Sequence, residues 1–252
     1  MKMGWLLLME ALDALRTVDK LKMTIQIYLF LALAQTVLSA IVAFLSFLRF
    51  KSRTEIVRLI GFVFLTSCIA NVMAAVLVSS ETFKVYINIP YPVYAIISLC
   101  LYSRLYYVLL HKKKAGAFIF VASAFVIFAL INMFFIQKTA HNSYSFLFHS
   151  AILIIYSLLY FYTLMNDLPS LYLHHLPMFW FNAALLIFHA GTFFLFSFTA
   201  YLVNVLKNNL VVYYSCHNML ISIEDLIFLV GLYYDFRLRT LNKVTSLNHS
   251  QR

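Results

Sequence analysis

Seven apolar runs of roughly 20 residues or more follow one another along the chain, separated by short polar breaks. They lie near 24–48, 57–79, 87–110, 115–136, 144–165, 177–205 and 209–235. At about 1.5 Å of rise per residue, each is long enough to cross a hydrocarbon core of about 30 Å as a helix. The alternation expected of strands is absent. The pattern predicts an all-α membrane protein, a seven-transmembrane helix bundle over 24–236. Pro90 and Pro92 fall early in the third run, where the first turn of a helix tolerates them, so they mark that helix's start. Before the bundle stands a segment, 1–23, that is too polar after residue 9 for a cleaved signal peptide. Trp5, Leu8, Leu12 and Leu15 give it the spacing of an amphipathic helix at the interface, and a disordered leader is the alternative. After the bundle comes a basic tail, 237–252.

Composition agrees with this reading. Of 252 residues, 63% are hydrophobic and 11% charged, against about 25% charged in soluble domains. Five glycines and four prolines are too few for the turns of a barrel. The formal net charge is +10, yet no motif mixing aromatic and basic residues suggests nucleic acid as a partner. The basic residues sit beside the apolar runs instead. Arg49, Lys51 and Arg53, with Arg58 just inside the second run, separate runs 1 and 2. His111 and Lys112–Lys114 separate runs 3 and 4, and Arg237, Arg239, Lys243 and Arg252 lie in the tail. The alternate breaks hold only Lys84, Lys138 and Lys207. This bias puts the N-terminus outside and the C-terminus in the cytoplasm. Cys68, Cys100 and Cys216 lie in apolar runs without CxxC spacing and read as small buried residues.

Polar groups inside the runs are the candidate chemistry, because an ionisable side chain at membrane depth costs several kcal/mol unless it finds a partner. The seventh run carries His217, Asn218, Glu224 and Asp225. His217 and Glu224, like Asn218 and Asp225, are seven apart and share nearly one face. Counting along the helices puts Asn71, His149, His189 and His217 at one height, with Asn182, Glu224, Asp225 and Arg104 in a second tier. Arg104 is expected to form a structural ion pair with Glu224 or Asp225. The polar residues His149, His189, His217, Asn182, Asn218 and Asn71 are the candidate ligand-binding set, and the three histidines are expected to line a shared cavity open to the outer side. Three histidines with a nearby Glu also suit a zinc hydrolase, but Ile221 stands where the closing HxxxH of seven-helix membrane hydrolases would need its second His. The seventh run has no lysine for a retinal Schiff base. No catalytic residue, metal or cofactor is therefore expected.

Two stretches carry a resemblance. Pro177-Met-Phe-Trp-Phe-Asn182 with Phe188-His-Ala-Gly-Thr-Phe-Phe-Leu195, and Cys216-His-Asn218 followed by Asp225, resemble helices 6 and 7 of small bacterial seven-transmembrane proteins. Those proteins are similar to the seven-helix sensor regions that precede histidine kinases. The resemblance covers mainly these two runs, about a quarter of the chain, and departs at Glu224 and Asp225, where the group carries an apolar residue and an Asn. It implies a sensor or receptor-like protein of the bacterial inner membrane. The lipid bilayer surrounds it, and its signal passes to a separate partner such as a histidine kinase or response regulator. The alternatives are an intramembrane metal-dependent hydrolase using the three histidines and a small-solute transporter, for which no internal repeat is visible. A proton or an anionic lipid-like molecule is the expected stimulus.

Overall fold

A computed structural model describes the backbone of residues 2–48, 53–79, 86, 89–110, 115–136, 143–167, 172–204 and 210–250. Within these, side chains are described except at 2–23, 78, 143, 199–204, 210 and 241–250. Seven α-helices account for nearly all of it: α1 (Lys2–Phe47), α2 (Glu55–Ser79), α3 (Pro90–Leu109), α4 (Ala115–Ile131), α5 (Ser143–Asp167), α6 (Pro177–Asn204) and α7 (Leu210–Ser250). A wide π turn, Asn132–Ile136, prolongs α4, and a 3-10 turn, Leu173–His175, precedes α6. The first six helices each hold a stretch long and apolar enough to cross a bilayer. The seventh is 41 residues long and carries the buried acids.

Helix ends follow local chemistry. Pro90 and Pro92 open α3 from its first turn and are buried there, as their missing N–H groups and fixed φ allow. Pro177 starts α6 in the same way. Helix α1 runs unbroken from Lys2 through the segment set apart above, 46 residues in all. The side chains that would decide whether 1–23 is amphipathic lie outside the described residues, as do the Lys112–Lys114 run and those of the tail beyond 240.

The helices form a ring. Helix α1 packs on α2 and α7, α2 on α3, α3 on α5, α5 on α6, and α6 on α7, closing a circuit of six. Helix α4 rests outside it, against α3 and α5. Its spanning stretch is accordingly the least buried of the six, 17% against 44% for α3. A side chain of α4 facing away from its two neighbours meets the surroundings, and Phe120 and Phe135 are more than 70% exposed.

The two ends of the ring differ. At the end where α1 stops and α2 begins, here the basic end, Arg53 is 5% exposed. It forms an ion pair with Asp235 of α7 and donates from Nε to Leu48 O (3.0 Å) and from Nη2 to Leu45 O (2.9 Å). Leu45 lies in the last turn of α1 and Leu48 just past it, where carbonyls commonly need partners from outside the helix. Arg239, one turn beyond Asp235, lies 3.0 Å from the same carboxylate, and the Arg53 guanidinium stacks over Phe236 at 4.4 Å. One arginine in the α1–α2 link thus ties the end of α1 to α7.

Above that clamp the ring is filled by aromatic and aliphatic groups. Phe228, fully buried, stacks on Phe181 (centroids 5.3 Å, 23°) and meets Phe64 edge-on at 4.9 Å. Gly231 lets α7 close on α6: a Cβ there would fall 2.4 Å from a Phe181 ring carbon. Beyond this apolar layer, at the opposite end, the interior turns polar.

Candidate functional site: a histidine-lined cavity inside the ring

One face of α7 organises the interior. Glu224, Phe228, Gly231, Leu232 and Asp235 are all buried and recur at three- and four-residue steps, the spacing of a single helical stripe. Glu224 heads this stripe and lines a cavity of about 80 Å³. The same cavity is lined by Asn71 of α2, His149 of α5, His189 of α6 and His217 of α7. None of its lining residues comes from α4, as expected of a helix outside the ring.

The three imidazoles are held differently. His149 and His189 lie with ring centroids 5.3 Å apart. Ser98 Oγ lies 3.2 Å from Ala95 O and 3.0 Å from His149 Nε2. A hydroxyl has one proton, so Ser98 can donate to only one of these two acceptors at a time. His189 places Nδ1 3.4 Å from Ser150 Oγ, while its Nε2 is buried without a partner among the described residues. His217 has the rings of Phe188 (5.8 Å) and Phe196 (5.7 Å) as neighbours, and its Nδ1 is likewise unpartnered. Thr192 Oγ1, also on the cavity wall, completes a set of three buried polar atoms without partners among the described residues. Buried polar groups in native proteins rarely stay unpaired, and a cavity of this size is roomy enough for several waters or a small molecule.

The second polar tier divides. Neighbouring residues on a helix point about 100° apart; Glu224 faces the cavity, while Asp225, fully buried, turns to α1 and accepts from Ser39 Oγ at 2.8 Å. Asn182 does not line the cavity. Its Oδ1 accepts from Tyr106 OH (2.6 Å) and its Nδ2 donates to Ser157 O (3.0 Å), bridging α3, α5 and α6 nearer the basic end. Tyr106 OH also lies 2.8 Å from Ser157 Oγ. Asn218 is buried but is not on the cavity wall. Replacing Tyr106 by Phe should lower stability by about 1–3 kcal/mol, because Asn182 Oδ1 loses its donor in a site closed to water. Unchanged thermal unfolding of Tyr106→Phe would show that this network contributes nothing.

The ion pair expected between Arg104 and Glu224 or Asp225 is not formed. Arg104 bonds Glu55 at the first turn of α2, at 2.9 Å from Nε and 2.8 Å from Nη2, and its guanidinium lies over Tyr107 at 5.4 Å. Glu55 adjoins the Arg53 level, which Asp235 marks on α7. Glu224 and Asp225 precede Asp235 by ten or eleven residues, about 15 Å along the helix axis, too far for Arg104 to reach. The cysteines need correction too: Cys100 and Cys216 are exposed on the outside of the bundle. Apolar surroundings in sequence do not distinguish a core-facing position from a lipid-facing one.

Sequence reasoning missed the clamp. From sequence, Arg53 reads only as a topological charge, and Asp235 as the last acid of the seventh run. The signal was present in Asp235 and Arg239, four apart, where a helix face brings opposite charges together. Among the described residues, no three His, Cys, Asp or Glu side chains group closely enough to hold a metal ion. No family model, no curated protein and no solved structure matches the chain, which leaves the cavity's own residues as the basis for a functional reading.

Proposed function

We propose that the chain is a seven-helix membrane sensor with its N-terminus outside and its C-terminus in the cytoplasm of a bacterial inner membrane. In this reading the histidine-lined cavity takes the stimulus, and α7, as the seventh span, relays it to a separate partner such as a histidine kinase or response regulator. The observation that carries the proposal is the α7 stripe. It joins a cavity carboxylate, an aromatic layer and an ion pair at the basic end on one helix face. A ligand that shifts Glu224 acts on the same rigid element that holds Asp235 against Arg53. Such a helix can bias two packings of the basic end, the minimum a receptor needs.

The alternatives have less support. A transporter needs a polar route through the bundle, and Phe228, Phe181 and Phe64 fill the ring between the cavity and the clamp. A hydrolase using His149, His189 and His217 needs them grouped as ligands. Here His149 Nε2 is engaged by Ser98, and His217 has phenylalanine rings as neighbours.

Reporter fusions after Lys114 and after Arg239 should both read cytoplasmic. A periplasmic signal from either overturns the orientation. The relay is tested in proteoliposomes containing the chain and individual membrane kinases of its host. Autophosphorylation of one kinase is expected to change severalfold in the presence of the chain, and Thr192→Trp, which fills the cavity, to hold it in one state. Failure of every kinase to respond rejects the sensor reading. Solute uptake by the same vesicles would establish a transporter instead, and stoichiometric zinc a hydrolase.

A further inference from the structure

We infer that the cavity is built for a small organic cation, a protonated monoalkyl amine with Glu224 as its counter-ion. The inference rests on the sensor reading only in treating the cavity as a ligand site.

Three observations support it. The first is charge. Glu224 is 6% exposed and lines the cavity, and no Lys or Arg side chain stands on its wall among the described residues. Three arginines at the basic end are committed elsewhere, Arg53 and Arg239 to Asp235 and Arg104 to Glu55. An anionic ligand, the stimulus expected from histidine content, would meet a carboxylate with no cation to balance it. A cationic ligand supplies the opposite charge that a buried carboxylate needs.

The second is the wall. Tyr91, Tyr94 and Tyr102 of α3 line the cavity, with Phe64, Phe146 and Phe188. Aromatic faces around a carboxylate attract an ammonium through the ring quadrupole while packing against its alkyl or aryl part. The third is the set of unpartnered buried polar atoms. Thr192 Oγ1 can accept a hydrogen bond, as can His189 Nε2 in the tautomer that donates Nδ1–H to Ser150 Oγ. A primary ammonium brings three N–H donors, and a quaternary one brings none. The acceptors therefore favour an amine that keeps its N–H groups.

The test compares three probes of one shape on the purified full-length chain in detergent at neutral pH: benzylamine, benzyl alcohol and benzoate. Benzylamine is expected to raise the melting temperature in proportion to the logarithm of its concentration. Benzyl alcohol should need at least about tenfold more for the same shift, and benzoate should give none, since a hydrogen bond to a charged partner is worth more than a tenfold affinity difference. Glu224→Gln keeps the side chain's shape and should abolish the preference for the amine. Thr192→Val should weaken benzylamine severalfold. Equal response to benzyl alcohol, preference for benzoate, or an undiminished benzylamine shift in a folded Glu224→Gln would each overturn the cation inference. Any of these would leave a ligand cavity, and hence the sensor reading, standing. Absence of any shift with all three probes also overturns it, and the kinase assay then judges the sensor reading independently. If Glu224→Gln does not fold, the three-probe comparison on the unmodified chain decides alone.

Discussion

Asp235→Leu is expected to lower the unfolding free energy by about 3–5 kcal/mol, the usual cost of stranding one partner of a buried pair. The Arg53 side chain is 2% exposed and cannot turn to water when the carboxylate is removed. It would keep its bonds to Leu45 and Leu48 carbonyls but lose the negative charge that makes burial tolerable. Arg53→Met should cost less than Asp235→Leu, because Arg239 remains beside Asp235. The double variant Arg53→Met/Asp235→Leu should recover a substantial part of the loss, since neither charge is then left alone. Arg104→Leu is the control. Its pair with Glu55 is about half exposed on the arginine side, and exposed pairs contribute at most about 1 kcal/mol. Chemical unfolding in detergent micelles measures all four. Strict additivity of the Arg53 and Asp235 changes, or a larger loss from Arg104→Leu, would remove the clamp from this account.

Gly231→Val should destabilise by about 1–3 kcal/mol, the range for overpacking a filled interior. The new Cβ would stand 2.4 and 2.6 Å from two carbons of the Phe181 ring. That ring cannot retreat freely, because it is stacked on Phe228, which in turn meets Phe64 edge-on. Adding Phe181→Leu should relieve the clash, so the double variant should be more stable than the sum of the two single losses predicts. A methyl group added at Gly116, on peripheral α4, would meet no atom within 4 Å, and Gly116→Ala should cost nothing. If Gly231→Val unfolds at the same denaturant concentration as the parent chain, α6 and α7 are not packed as closely as described. The substitution also probes the relay, since Gly231 lies on the stripe between Glu224 and Asp235.

The candidate site shows how far residue positions carry. Counting rises along each run put Asn71, His149, His189 and His217 at one height, and they do line one cavity. Glu224 joins them from the deeper tier, while Asp225, Asn182 and Arg104 leave for other partners. Height along a helix follows from sequence number, because the rise per residue is nearly constant. Direction around the helix does not, unless one face is marked by polarity. Where one histidine stands in a run with no other ionisable side chain beside it, it marks the inner face, as His149 does on α5 and His189 on α6. Where two stand side by side, as Glu224 and Asp225 do, they diverge by about 100° and only the neighbouring helices decide what each meets.

By itself the sequence determined that this protein is a set of apolar helices of bilayer-crossing length, where they start at Pro90 and Pro177, and which polar groups are carried to depth. Those are properties of local composition, spacing and backbone chemistry. The tertiary structure alone decided that six helices close a ring and α4 stays outside it, that Cys100 and Cys216 face outward, and that Arg53, not Arg104, is the buried cation. The physical reason is that lipid and protein interior are both apolar. A soluble helix is sorted by the contrast between its wet and dry faces, whereas a membrane helix is sorted by packing and hydrogen bonding to neighbours. Those neighbours are distant in sequence, as Ser39 is from Asp225 and Arg53 from Asp235, so their pairing exists only in the assembled bundle.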